Sequence, residues 1–157
     1  ILLRGTLGHS LKQFCCINKG KCEDCSIIKS CAYAYIFETH KFTLKSDLER
    51  SFSPHPYLIE TPVDNKTLYE KGDLLEFTIT LFGKGISLAD LIIQALKTGV
   101  EEGLGVNRVP FQLRGVNLDA KDFLPIWREG IEFYENIKSK NLNEFFSKKK
   151  QKQILYW

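Results

Sequence analysis

The sequence is poor in several residue types, and each shortage narrows the class of protein that it encodes. It has no methionine and only three histidines in 157 residues. No apolar run approaches the roughly 20 residues needed to span a bilayer. The N-terminus has a charge and glycines where a signal peptide keeps its apolar region. We therefore expect a soluble, cytoplasmic protein with no membrane partner.

The signatures of several enzyme classes are missing as well. The main glycine stretch lacks the Gly-Lys-Ser/Thr of a phosphate loop and follows a predicted helix instead of preceding one. There is no Gly-x-Ser-x-Gly elbow, and His9, His40 and His55 are too scattered to form a His-x-x-x-His metal pair. What remains is acid–base catalysis by a single histidine, with lysine or arginine stabilising charge.

The composition indicates a globular chain whose charge is unevenly distributed. A hydrophobic content of 43% is enough for a core in one domain, or in one domain and part of another. The net charge is only +3, but lysines crowd the last twenty residues, at Lys138, Lys140, Lys148, Lys149, Lys150 and Lys152. The chain starts in a helical pattern and ends on a strand-like run, so we expect a fragment that lacks a first strand and a second domain.

The centre of the chain predicts a strand, a helix, a glycine loop and a strand. Residues 74–82 and 108–116 alternate apolar with polar side chains, as half-buried strands do. Between them, residues 86–98 have apolar side chains at helical spacing, with Ser87 and Asp90 placed for a capping box. A helix that crosses over between two strands of one sheet predicts an α+β, ferredoxin-like (RRM-like) domain with an antiparallel sheet and helices on one face.

Periodicity and prolines predict two further elements before this centre. Residues 2–14 predict a helix, because apolar side chains recur at helical spacing at Leu3, Leu7, Leu11 and Phe14. Small residues on one face of this helix indicate close packing or the close approach of a ligand. Pro54-His55-Pro56 forces an extended entry into a short strand at 57–60.

Four cysteines, spaced Cys16-x5-Cys22-x2-Cys25-x5-Cys31 with Cys15 as a neighbour, form the second landmark. Four thiols this close together, without a secretory signal, fit metal ligation better than a disulfide framework. Thiolates select zinc or an iron–sulfur cluster, and a structural four-cysteine zinc site is the simpler hypothesis. Free thiols or a single disulfide are the alternatives. If the cysteines are the purpose of the chain, it is a metal-sensing or redox module.

Two groups of polar residues are candidates for chemistry, each with a plain structural alternative. Lys97, Arg108 and Arg114 are candidate phosphate contacts, or simply the solvated side of a half-buried sheet. Gly103 and Gly105 bring bare backbone N–H groups close to a bound phosphodiester, although a helix C-cap followed by a tight turn uses the same glycines.

The histidines have equally plain alternatives. His9 lies in a glycine-bearing helix and His40 in a basic loop beside Lys41, so each is either an acid–base group or a solvated side chain. His55 lies between two prolines, so it either serves the turn, which is the plainer interpretation, or acts as an acid–base group.

Three local patterns resemble one known family. They are the Leu3-Arg-Gly-Thr-Leu-Gly8 helix, the cysteine group that ends in Cys31-Ala-Tyr-Ala-Tyr-Ile-Phe-Glu38, and Gly103-Leu-Gly-Val-Asn-Arg-Val-Pro-Phe111. Together they resemble the repeat-RNA-processing endoribonucleases of CRISPR systems, within the repeat-associated mysterious protein (RAMP) superfamily. The resemblance extends from Leu3 to about Val116.

The resemblance implies two tandem ferredoxin-like domains. Residues 1–118 would supply most of the first, with a cysteine-rich insertion at 15–31, and residues 119–157 a helical insert and a basic tail leading to the second. It also implies metal-independent cleavage of CRISPR precursor transcripts within each repeat. A histidine acts as acid or base, the ribose 2′-hydroxyl attacks the neighbouring phosphate, and the products carry a cyclic phosphate and a 5′-hydroxyl.

Carried over residue by residue, the resemblance makes His9 the first catalytic candidate and His40 the second. Lys12 or Lys41 would stabilise the phosphorane. Gly103, Gly105 and Arg108 match the glycine-rich loop that lies along RNA. The implied partners are CRISPR repeat RNA and other effector subunits. Some members of the superfamily are noncatalytic, so an RNA-binding subunit is the first alternative function.

Overall fold

The computed structural model of the chain describes residues 2–17, 21–39, 54–61, 66, 68–117 and 125–128. These residues form helices α1 (Leu2–Cys15), α2 (Ala32–Phe37) and α3 (Ala89–Glu102). They also form strands β1 (Tyr57–Glu60), β2 (Thr78–Leu81), β3 (Gly115–Asn117) and β4 (Pro125–Arg128). The fold class is α+β, as predicted, and the elements are consistent with a ferredoxin-like type of fold. No helix among the described residues is long and apolar enough to cross a membrane.

Helix α1 follows its predicted periodicity over three turns and departs from it at the last. Leu3, Leu7 and Leu11 are buried, whereas Phe14 is 51% exposed and does not belong to the apolar stripe. Gly8 lies against the ring of Phe37, so closely that a Cβ at this position would come within 3.1 Å of it. The small residue therefore serves close packing of α1 against the chain that follows the cysteines.

Helix α3 starts later and ends later than predicted. A 3₁₀ turn over Gly83–Leu88 precedes it, and the helix continues to Glu102. The hydroxyl of Ser87 donates a hydrogen bond to the carbonyl of Lys84 at 2.8 Å and caps no helical N–H. The predicted capping box is therefore wrong, because the 3₁₀ turn places Ser87 inside a helical segment instead of ahead of it.

Helices α1 and α3 cross where both carry small residues. Gly99 of α3 faces Thr6 and Ser10 of α1, and a Cβ on Gly99 would lie 2.7 Å from Thr6 Cγ2. Ser10 is buried, and its hydroxyl has no hydrogen-bond partner among the described residues. The absence of a side chain at Gly99 thus sets how closely the two helices approach.

Strand β1 has the predicted bounds, the strands predicted at 74–82 and 108–116 are shorter, and the four strands form two separate pairs. Strand β1 pairs with β2, and β3 pairs with β4 in an antiparallel register that places Val116 opposite Trp127. The prediction that the strands on either side of α3 lie in one sheet is therefore wrong for the described residues. Residues 125–128 are strand, although a helical insert was predicted there; the rest of that insert and the basic tail lie outside the described residues.

The chain divides into two compact units. One contains residues 1–57 and 81–112, and the other contains residues 58–80 and 113–157. All three α-helices, the five cysteines and the glycine loop belong to the first unit. The candidate site therefore lies within the first unit.

Candidate functional site

A histidine and an arginine of the first unit form a long-range side-chain hydrogen bond. The guanidinium Nη2 of Arg4 lies 2.9 Å from Nε2 of His55, and Nδ1 of His55 lies 3.1 Å from the carbonyl oxygen of Ile36. A guanidinium only donates hydrogen bonds, so Nε2 accepts and the ring proton is on Nδ1. His55 therefore accepts from Arg4 as a neutral imidazole, and Arg4 and Ile36 fix its tautomer and orientation; Thr39 Oγ1 also lies 3.5 Å from Nδ1.

A buried tyrosine lies beside this pair. Tyr57 is only 9% exposed, and its hydroxyl has no partner with hydrogen-bond geometry among the described residues. Burial raises the pKa of this phenol, and the nearby positive charge of Arg4 offsets only part of that rise. Arg4 thus lies close enough to act on Tyr57 by its charge, although it does not complete a well-aligned hydrogen bond. The phenol stays protonated at neutral pH and is a donor.

Two neighbouring aromatic rings lie on one side of the Arg4 guanidinium. Its central carbon lies 6.0 Å from the ring centroid of Phe37 and 6.0 Å from that of Tyr57. The rings of Phe37 and Tyr57 are 5.3 Å apart, so they form one surface under the cation. Stacking on aromatic faces suits a guanidinium and leaves its N–H groups available to an anion.

The local sequence explains why His55 points at Arg4. Pro54 and Pro56 restrict the backbone on both sides of the histidine. The carbonyl of Pro56 accepts a hydrogen bond from the N–H of Phe82 at 2.9 Å, which anchors the segment. The imidazole is thereby presented to α1 by a rigid segment.

Of the predicted catalytic residues, the structure describes only His9, together with the predicted phosphorane-stabilising Lys12. His9 is exposed on α1, where the side-chain amide nitrogen of Gln13 donates to its Nε2 at 3.0 Å. Lys12 lies over the ring of Tyr33, 5.6 Å from its centroid. His40 and Lys41 lie outside the described residues. Neither His9 nor Lys12 therefore makes its contact with Arg4 or His55.

The glycine loop is a helix C-cap followed by a closed turn. Gly103 ends α3 with a φ of 114°, and a Cβ there would lie 2.8 Å from the Cα of Arg108. Leu104 and Val109 exchange both backbone hydrogen bonds, at 2.7 and 3.0 Å. The N–H of Arg108 donates to the carbonyl of Gly105 at 3.2 Å and closes the turn. Gly103 is thus required by the fold itself.

The tip of this turn is nevertheless placed to meet a ligand. Arg108 is exposed, with a φ of 47°, and Val106 is completely exposed. A Cβ on Gly105 would lie 3.7 Å from the side chain of Leu2, so the turn lies against the first turn of α1, two residues before Arg4. Lys97 is half-buried on α3; Arg114 is exposed but belongs to the second unit.

All five cysteines line one pocket, together with Lys21, Ile28, Tyr33 and Ala34. We call it the cysteine pocket. None of the five is in a disulfide. Burial raises the pKa of the Cys15 thiol, partly offset by the backbone N–H of Tyr33. Among the described residues, no group of three or more histidine, cysteine or acidic side chains stands in metal-ligand geometry. The ligand set Cys16, Cys22, Cys25 and Cys31 therefore stays a prediction.

One family model matches most of the chain. The family model AF_1859_N, described as an N-terminal domain, matches residues 1–142. The chain belongs to this family. No curated protein and no solved structure matches it. The family description names neither a reaction nor a ligand, so the function is argued from the residues.

Sequence reasoning missed Arg4, His55 and Tyr57 as a group. Arg4 stood inside the Leu-Arg-Gly-Thr-Leu-Gly pattern, and His55 was assigned to a turn. The available signal was the pair of prolines around His55, because rigid flanks make a histidine costly to move and well suited to hold one orientation. No spacing rule connects it to Arg4, which is 51 residues away.

Proposed function

We propose that this protein is a metal-independent endoribonuclease that cuts CRISPR precursor transcripts within their repeats by 2′-hydroxyl attack. The observation that carries the proposal is the Arg4–His55 hydrogen bond, which pairs an oriented neutral imidazole with a guanidinium. The substrate class comes from the three sequence patterns that resemble the CRISPR repeat-processing endoribonucleases.

The reaction needs a base, an acid and a cation, and side chains can supply all three. A base removes the proton of the 2′-hydroxyl, an acid protonates the leaving 5′-oxygen, and a cation stabilises the charge on the phosphorane. His55 is the acid–base group of the proposal. Its Nδ1–H is held by the carbonyl of Ile36, so its reactive atom is Nε2.

Arg4 is the cation of the proposal. Its guanidinium has five N–H donors, and one of them donates to His55. Others are available to phosphate oxygens. When the guanidinium turns towards a bound phosphate, the lone pair of His55 Nε2 becomes available for the 2′-hydroxyl proton. The 2′-oxygen then bonds to phosphorus and the bond from phosphorus to the 5′-oxygen breaks. The imidazolium returns the proton to that oxygen, which leaves a cyclic phosphate and a 5′-hydroxyl.

The turn at Gly105 to Arg108 is the RNA-backbone contact of the proposal. It lies against Leu2, in the same first turn of α1 that carries Arg4. Its exposed Arg108 supplies a positive charge, and Lys97 supplies another on the helix that leads into the turn. Phosphate contacts of this kind position RNA without reading its sequence.

The test is cleavage of labelled repeat RNA by the full-length protein in EDTA, with a 2′-deoxy substitution at the cut site as the substrate control. His55→Ala and Arg4→Ala should each lower the single-turnover rate about 100-fold to 10,000-fold. His9→Ala is the matched control and should leave the rate unchanged, because His9 is exposed and, among the described residues, is hydrogen-bonded to Gln13 of its own helix.

Two results would contradict the proposal. Full activity in His55→Ala, with loss of activity in His9→Ala or His40→Ala, would move the acid–base role to another histidine. Tight binding of repeat RNA without any cut would make the protein a noncatalytic RNA-binding subunit.

A further inference from the structure

The cysteine pocket has no part in the proposed RNA chemistry, yet it gathers every cysteine of the chain. The lining contains five thiols and a single charged side chain, Lys21. All five thiols are only part-buried and none is used in a disulfide. Such a concentration of soft ligands at one place needs an explanation other than packing.

The backbone places four of these cysteines at the borders of helical segments. Cys16 follows the end of α1, and Cys31 directly precedes α2. Cys22 opens a 3₁₀ turn and Cys25 closes it, with the N–H of Cys25 donating to the carbonyl of Cys22 at 3.2 Å. Side chains at such borders change rotamer without unwinding a helix. Cys15 differs, because it is the last residue inside α1.

We infer that the cysteine pocket binds one zinc ion through Cys16, Cys22, Cys25 and Cys31, with Cys15 as a fifth thiol outside the coordination sphere. The inference does not depend on the proposed nuclease function. The described thiols do not stand in ligand geometry, so binding draws four sulfur atoms to about 2.3 Å from the ion. Rotation about single side-chain bonds is the movement that does this.

The charges around the pocket fit this occupant. Four thiolates and Zn²⁺ carry two net negative charges, and Lys21 lines the pocket. A second lysine, Lys12, stacks over Tyr33, which also lines it. A closed four-thiolate zinc leaves no position for water, so the ion would act as a structural tie between the end of α1 and the start of α2.

The experiment measures zinc in the full-length protein purified without chelators. The expected content is about one zinc per chain, as a closed four-thiolate site requires. Serine at Cys16, Cys22, Cys25 or Cys31 should abolish it. Cys15→Ser is the matched control, since it removes a neighbouring thiol of the same pocket, and it should retain zinc.

Because a cysteine variant that loses zinc can also lose its fold, the unmodified protein is tested in parallel. Cobalt replaces zinc in it, and intense visible absorption together with a thiolate-to-cobalt band of four-sulfur strength supports the inference. Iron with acid-labile sulfide would overturn it in favour of a cluster. Protein without metal, or loss of zinc in Cys15→Ser with retention in Cys16→Ser, would overturn it too.

Discussion

The two ends of helix α1 differ in how the side chains around them are arranged. At the N-terminal end, Arg4 meets a histidine 51 residues away, and protein groups alone fix the geometry. At the C-terminal end, Cys15 and Cys16 share a pocket with cysteines that follow them closely in sequence, and the thiols stand without ligand geometry. Hydrogen bonds therefore fix the side chains at the N-terminal end. At the C-terminal end the thiols lie in one pocket without metal-ligand geometry.

This difference separates a chemical role from a structural one. In the proposed reaction the carbonyl of Ile36 already holds the His55 imidazole in its orientation, so only the Arg4 guanidinium has to turn when a phosphate binds. A structural metal site needs no such prior orientation, since the ion itself arranges the ligands as it binds. The N-terminal end of α1 therefore suits catalysis and the C-terminal end suits a structural tie.

The largest effect is expected at the N-terminal end. Arg4→Ala should lower cleavage about 100-fold or more, whereas Arg4→Lys should restore part of the rate, because lysine keeps the charge and loses the planar fork. Arg4 is exposed, so the melting temperature should change by only a few degrees in both variants. Single-turnover kinetics and calorimetry measure the two quantities.

Lys29→Ala is the matched control for this variant. It removes an exposed positive charge from the short 3₁₀ turn between the cysteines. It should leave cleavage unchanged. Equal losses of rate in the arginine and lysine variants would mean that overall charge matters and the contact with His55 does not, which would break the distinction between the two ends.

A medium effect is expected at the helix crossing between the two ends. Gly99→Ala should lower the free energy of unfolding by about 1–3 kcal/mol, because its methyl group meets Thr6 and Ser10. Ser10→Ala should be neutral or slightly stabilising, since it removes a buried hydroxyl that has no partner among the described residues. Urea unfolding measures both.

The double variant sharpens the test at the crossing. If the contact with the Ser10 hydroxyl causes the cost, adding Ser10→Ala to Gly99→Ala should recover part of it, because the two residues touch. Strictly additive values would show that the crossing does not depend on this contact.

The smallest effect concerns Tyr57 and alkaline pH. Burial raises the pKa of its phenol above the ordinary value of 10.0, so the folded protein holds this proton more tightly than the unfolded chain. That contribution to stability is present below pH 10 and is lost as the pH rises through 10 and through the higher pKa of the folded state. Stability measured from pH 8 to 11 should therefore fall less steeply in Tyr57→Phe. Parallel curves for the two proteins would mean that the phenol ionises equally in both states.

Local patterns were predicted well from the sequence, and long-range contacts were not. The periodicity of Leu3, Leu7 and Leu11 gave the buried face of α1, and the cysteine spacing pointed to a shared pocket. The contact of Arg4 with His55 depends on how α1 meets the segment before β1. No periodicity encodes that meeting, which is why the histidine was assigned to its turn.

Strand boundaries failed for a different physical reason. Alternation predicted a strand from residue 108, but Arg108 has a φ of 47°, which an extended strand does not allow. The turn that contains it is held by the Leu104–Val109 pair, and the strand begins only at Gly115. Backbone demands at a tight turn overrode the side-chain pattern.

The Leu104–Val109 pair also determines which positions of the turn tolerate substitution. Two hydrogen bonds close the turn at its base and insulate its tip from the end of α3. Val106 is completely exposed among the described residues, so replacing it alters what the tip touches and not how the helix terminates. Position 103 must stay glycine while position 106 is open to change. Substitutions at the tip should therefore change what the turn binds with little effect on stability, and position 106 suits the attachment of a fluorescent reporter.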